Sequence, residues 1–220
     1  ESDVFVENFK VGGLARYGLD YETLRAVNPR LGYCSITGFG QDGPDAHRAG
    51  YDCMIQGMGG LMSITGAPGE GPMRVGIPIA DLCAGLFAAQ AIFIALLERS
   101  KSGKGQWVQT SLLQAQAFML DFQAARYLMN GDVTQQAGNN HPTSIPTGVF
   151  KTIDGFINLA VAGEQIWKRL AETLQKSEWC DDDRFAINES RSQNRDLLNA
   201  EIEKITKTQT STYWVTKLNE

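Results

Sequence analysis

Apolar positions near the start of the chain come in short blocks separated by polar turns. Val4–Val6 is a compact apolar run that predicts a buried strand. In "GLDYETLRAV", Asp20 is placed to cap a short helix that Pro29 prevents from continuing, and "LGYCSIT" then predicts a second strand. A strand–helix–strand order favours a parallel sheet, and such sheets bind ligands at the carboxyl ends of their strands. The loops "ENF" (7–9) and "GFGQDGP" (38–44) fall there. Residues 80–99 predict a long helix that is apolar nearly all round, a pattern that calls for burial. "GQWVQTSLL" reads as another strand, followed by one helix over 112–129. The polar stretch "NGDVTQQAGNNHPTSIP" (130–146) has linker character, "GVFKTIDGFINLAV" predicts a hairpin turning at Asp154–Gly155, and charged helical segments follow. The resulting organisation is α/β: an incomplete parallel-sheet domain over 1–130, a linker over 131–146, and a smaller, incomplete α+β domain over 147–220.

One residue breaks the apolar pattern. From Val75 to Leu97 the single formally charged side chain is Asp81, in the first turn of the long helix. It is either a cap for free backbone N–H groups or a reactive carboxylate held at the positive end of the helix dipole. Local pattern favours the cap. A membrane span is the competing reading of this helix, but Asp81 and Gln90 interrupt it and the uninterrupted apolar run is short for a bilayer.

Composition narrows the partners. The chain has 220 residues, 43% of them hydrophobic, enough for a sizeable core, and a formal net charge of -5 with no Lys/Arg-rich block, which argues against nucleic acid. Four cysteines without a CxxC pair argue against a disulfide framework or structural zinc and suit a reducing cytoplasm. The chain opens at Glu1 directly into a strand-like run, without a signal-peptide pattern, which has the character of a fragment. Tempting motifs dissolve on inspection. "GFGQDG" follows a strand but leads to Pro44 and a polar loop instead of a phosphate-binding helix; "KSGKGQW" lacks phosphate-loop spacing; "DDD" (181–183) is most simply a solvated charge run, with metal binding as the alternative.

The stretches "SDVFVENFKVGGLARYGLDYETLRAVNPRLGYCSITGFGQDGP", "RAGYD", "GLMSITG", "RVGIPIADLCAGL", "SGKGQWVQTSLL" and "IPTGVFKTIDGFI" together resemble the family III CoA-transferases. That group includes formyl-CoA:oxalate, carnitine and succinyl-CoA:glutarate CoA-transferases and, as a relative, α-methylacyl-CoA racemase. The resemblance runs in order through about residues 2–170. It implies a Rossmann-like large domain, interlocked homodimers, and coenzyme A or acyl-CoA as substrate with a small carboxylic acid as partner. No permanently bound cofactor, metal, nucleic acid or membrane is implied.

The resemblance also implies roles. Asp81 in "ADLCAGL" corresponds to the carboxylate that attacks the acyl-CoA thioester. Asn8 and Phe9 match positions beside the nucleotide, Arg16 a basic residue near the phosphates, and Arg48 stands one residue before a familiar basic position occupied here by Ala49. Gly138, Asn139, Asn140 and His141 fall where some members carry a glycine-rich lid. Tyr51 stands where racemase relatives have the histidine of "GHD", and a tyrosine with a pKa near 10 is a poor base at neutral pH. Transfer is therefore expected over racemisation, in which nearby His47 would have to serve, and over a CoA-binding remnant without catalysis.

Overall fold

A computed structural model describes residues 2–220, which form two compact units, 2–136 and 137–220. The boundary falls inside the polar stretch expected as linker. In the first unit, β1 (Val4–Glu7), β2 (Gly32–Thr37) and β3 (Trp107–Ser111) form a parallel sheet in the order β1-β2-β3, with Val6 opposite Cys34 and Cys34 opposite Val108. Helix α1 (Tyr21–Val27) makes the first crossover, and Asp20 caps it by accepting from the Thr23 N–H at 3.1 Å. On one face of the sheet Tyr33 stacks on Phe5 and meets Trp107 edge-on, while its hydroxyl donates to the Leu19 carbonyl at 2.9 Å. Burial pushes the Tyr33 phenol up to about 12.

Between β2 and β3 lie α2 (Asp52–Met58), α3 (Leu61–Ile64) and the long α4 (Ile79–Ser102). Helix α4 is not buried all round as its composition predicts. Its small residues, Ala80, Cys83, Ala84, Ala88 and Ala95, recur at helical spacing and are buried, since small side chains let the helix approach closely. Leu86, Phe93, Ile94 and Leu97 project from it 65–69% exposed. By length and composition alone α4 is also long and apolar enough to cross a membrane, despite Asp81 and Gln90. Within this unit it packs against β2, β3, α2 and α5.

β3 runs directly into α5 (Leu112–Met119), capped by the Ser111 hydroxyl, which accepts from the Gln114 N–H at 3.2 Å. The single helix expected over 112–129 is two: α6 (Phe122–Asn130) starts afresh after Asp121, whose φ of 49° no α-helix continues through.

The second unit contains the hairpin of β4 (Thr147–Lys151) and β5 (Phe156–Ala160), followed by α7 (Glu164–Thr173), α8 (Asn188–Gln193), α9 (Arg195–Thr206) and α10 (Ser211–Asn219). Asp154 in the hairpin turn accepts from the Ser211 N–H at 2.7 Å, tying the turn to the start of α10. In the acidic run, the Arg184 guanidinium holds Asp182 down to about 2.

Arg191 organises the core of this unit. It is 1% exposed, pairs in bidentate fashion with Glu164 at 2.8 and 3.0 Å, donates to the Ile145 and Phe185 carbonyls, and lies over the Trp167 ring. Arg191→Met strips donors from buried carbonyls and is expected to cost about 2–4 kcal/mol. Glu164→Gln, on the half-exposed side of the pair, should cost no more than about 1 kcal/mol. Urea unfolding of both variants checks this, and equal losses would show that the ion pair, not the carbonyl contacts, carries Arg191.

Candidate active site

The carboxyl ends of β1 and β2 open onto a cavity of about 470 Å³. Its lining includes Asn8, Phe9, Lys10, Arg48, Tyr51 and Asp81. The first three lie in the loop after β1, where the buried Glu7 carboxylate accepts from the Phe9 N–H at 2.8 Å and fixes the turn. The Phe9 ring is left 60% exposed, with a face free for stacking.

Arg48 and Tyr51 reach the cavity because two loops cross at contact distance. A Cβ built on Gly38 would lie 2.5 Å from the Gly50 Cα, and one on Gly50 the same distance from the Gly38 Cα. Only hydrogen fits at either position, so the paired glycines bring the segment before α2 against the end of β2. Arg48 bonds Asp45 at 3.0 Å and lies over Phe39, while Tyr51 is 70% exposed.

Asp81 enters from α4, and it is not the cap. Pro78 precedes the helix and supplies no side-chain bond. The cap comes from another helix: Oδ1 of Asp52, in the first turn of α2, accepts from the Ala80 N–H at 2.9 Å. Oδ2 of Asp52 accepts from Gln56 Nε2 at 2.7 Å, and Gln56, fully buried one turn on, accepts from the Val75 N–H at 2.8 Å and donates to the Ile77 carbonyl at 3.3 Å. The turn leading into α4 is therefore stapled to α2, and Asp81 is released from structural duty.

A helix N-terminus should favour the ionised carboxylate, yet Asp81 is shifted the other way. Desolvation by the cavity walls raises its pKa first, and the neighbouring Asp52 charge raises it further. The side chain is exposed to the cavity while apolar neighbours limit its hydration.

The cavity gathers Asn8, Phe9, Arg48, Tyr51 and Asp81, but not Arg16. That residue sits in a short 3-10 turn (Ala15–Tyr17), where its guanidinium covers the Tyr17 ring at 4.6 Å. Nor does His47 line it, although both its neighbours do. In the second unit, Asn139 and Asn140 pack so closely on Gly148 that a Cβ there would meet both at 2.8 Å, and Asn140 accepts from Asn199 at 2.8 Å. His141 Nδ1 accepts from the Ser144 N–H at 2.9 Å. Gly138, with φ of 59°, begins this pinned turn. Asn140 and His141 are thus held by hydrogen bonds within the second unit.

The sequence reading passed over Lys10, Asp52, Gln56 and Arg74. Lys10 adjoins "ENF", and the four-residue spacing of Asp52 and Gln56 places them on one helix face, but their partners on 75–80 are visible only in three dimensions. Among the described residues, no group of three or more His, Cys, Asp or Glu is arranged to hold a metal ion.

A parallel sheet with a carboxylate at the start of a long helix, facing a cavity at the carboxyl ends of the strands, defines an α/β protein with a candidate site at its sheet. A model of CoA-transferase family III matches residues 1–220, and the chain belongs to that family. The succinate–glutarate CoA-transferase of Agrobacterium fabrum is 45% identical over 95% of this chain and 51% of its own length. The acetyl-CoA:oxalate CoA-transferase of Acetobacter aceti is 36% identical over 98% of this chain and 56% of its own. Among solved structures, a CAIB/BAIF family protein from Brucella suis superposes with a TM-score of 0.84 at 43% identity, over 99% of this chain and 58% of that one. The chain spans about half the length of the curated relatives it matches.

The raised Asp81 value has a measurable sign. Because the folded pKa lies above the unfolded one near 3.9, ionising Asp81 weakens the fold: stability declines as pH rises from about 4 through the folded value and stays lower above it. Asp81→Asn is therefore expected to melt above wild type at pH 7, the gap closing towards pH 3. Calorimetry across that range decides the matter, since a cap would give a variant less stable than wild type at pH 7.

Proposed function

We propose that the protein transfers coenzyme A from an acyl-CoA donor to a small carboxylic acid, with Asp81 as the nucleophile. The observation that carries this is the Asp81 carboxylate facing a cavity shared with Asn8, Phe9, Lys10, Arg48 and Tyr51, while Asp52 performs the capping that Asp81 would otherwise do. An oxygen of Asp81 attacks the thioester carbonyl; the C–S bond breaks, leaving an acyl-aspartyl anhydride and CoA thiolate. The thiolate attacks the aspartyl carbonyl, releasing the donor acid and forming an aspartyl-CoA thioester. The acceptor carboxylate then displaces thiolate from this thioester, and thiolate attack on the acceptor's own carbonyl yields the new acyl-CoA and regenerates Asp81. Each step splits a difficult exchange into easier ones, and apolar walls keep out water that would hydrolyse the anhydride.

In this reading Phe9 stacks on the adenine, Asn8 hydrogen-bonds near it, and Lys10 and Arg48 meet phosphate or carboxylate oxygens. Arg16 serves as a phosphate contact only if it leaves the Tyr17 ring. Dicarboxylate acceptors fit the names of the relatives, and a cytoplasmic enzyme without a permanent cofactor fits the free cysteines and the substrate. Racemisation lacks its second base, because Tyr51 stands where a histidine would be needed and His47 does not line the cavity. An interlocked homodimer belongs to the same proposal, supported by the exposed apolar face of α4. Analytical ultracentrifugation of the full-length protein should show a dimer, and a concentration-independent monomer would remove this part of the reading.

Full-length enzyme mixed with acyl-CoA and no acceptor should carry an adduct on the peptide containing "IPIADLCAGL", converted by hydroxylamine to an aspartyl hydroxamate. Asp81→Asn should bind CoA and lose transfer by several orders of magnitude. Unchanged turnover in that variant, shown free of deamidation, defeats the mechanism; CoA binding by wild type without turnover marks a binding protein instead.

A further inference from the structure

The cap on α4 brings the Asp52 carboxylate to the residue before Asp81. Both oxygens of Asp52 are engaged by N–H donors, at 2.9 and 2.7 Å, and the capped residue, Ala80, immediately precedes Asp81. Neighbouring anions oppose each other's ionisation, yet both Asp52 oxygens act as acceptors, which leaves neither to carry a proton, and nucleophilic attack needs Asp81 as an anion as well. A cation at this place resolves the conflict.

The charged groups at the cavity and at the cap of α4 come from four segments. Asp52 lies on α2, Arg74 on the strand of chain entering α4, Lys10 in the loop after β1 and Arg48 in the loop before α2. Tyr51 is the other titratable side chain in the cavity, and β2 and α5 contribute only uncharged Ile36, Thr37 and Leu112. Arg48 is paired with Asp45. Arg74, by contrast, directs Nη2 at Oδ2 of Asp52 from 3.9 Å. Its backbone is fixed by the next residue, since the Val75 N–H donates to buried Gln56, the same side chain that donates to Asp52. The staple that positions the helix therefore also aims the guanidinium at the capping carboxylate.

We propose that Arg74 is a positioning residue that offsets the Asp52 charge, so that Asp52 caps α4 while Asp81 stays an anion able to attack a thioester. The electrostatic part stands on the cluster itself; its importance for turnover rests on the reading of Asp81 as nucleophile. The half-exposed guanidinium acts through Asp52, so its effect is smaller than the 1–3 units of a direct, close ion pair.

The test uses full-length protein labelled with 13C-carboxyl aspartate, with the Asp81 resonance assigned by its loss in Asp81→Asn. In Arg74→Gln the Asp81 midpoint should move to higher pH by about half a unit, the acid limb of kcat should follow it, KM for acyl-CoA should change little, and Arg74→Lys should restore both positions. An unmoved Asp81 midpoint in Arg74→Gln overturns the proposal. So does a raised KM for the acceptor with no pH shift, which would make Arg74 a substrate contact. A shifted midpoint in a protein whose wild type shows no transfer would sink the transferase reading and leave the electrostatic role of Arg74 standing.

Discussion

The Asp52 carboxylate accepting from the Ala80 N–H is the contact on which the geometry of the site depends. The opening N–H groups of a helix need partners from outside it, and the residue before α4 is a proline without a polar side chain to offer. Taking the acceptor from α2 fastens the site-forming turn to a second helix. It also leaves Asp81 to face the cavity. Gln56 extends the same connection by satisfying Val75 and Ile77, so the segment entering α4 is held at three backbone points by two side chains one helical turn apart.

The remainder of the site is assembled by close approach. Glu7 holds the loop after β1, and the Gly38–Gly50 crossing lays the segment before α2 against the end of β2. Three stretches far apart in the chain thus converge on Asp81, at the edge of the sheet where parallel α/β proteins generally place their ligands. The raised pKa of Asp81 comes from desolvation and from the neighbouring Asp52 carboxylate, and perturbed carboxylates of this kind cluster at functional sites. The two faces of α4 differ: small residues pack inward, and large apolar ones stay exposed.

The parallel strand–helix–strand start, the Asp20 cap and the hairpin at Asp154–Gly155 were legible in the sequence, because each rests on local periodicity or turn chemistry, whereas α2 and α3 went unread. So was the oddity of Asp81, since a lone charge in an apolar helix needs no fold to be noticed. What local pattern could not supply was the competitor for its capping role: Asp52 and Ala80 are 28 positions apart, and the bond between them exists only when α2 lies across the start of α4. The break at Asp121 and the exposed half of α4 escaped for a related reason. A composition that permits a continuous or fully buried helix does not state which backbone torsions and which neighbours the rest of the chain provides. By itself the sequence determined those elements and the suspect; tertiary structure decided which carboxylate caps, which cations face the cavity and which do not, because those choices are distances between segments that the chain order leaves open.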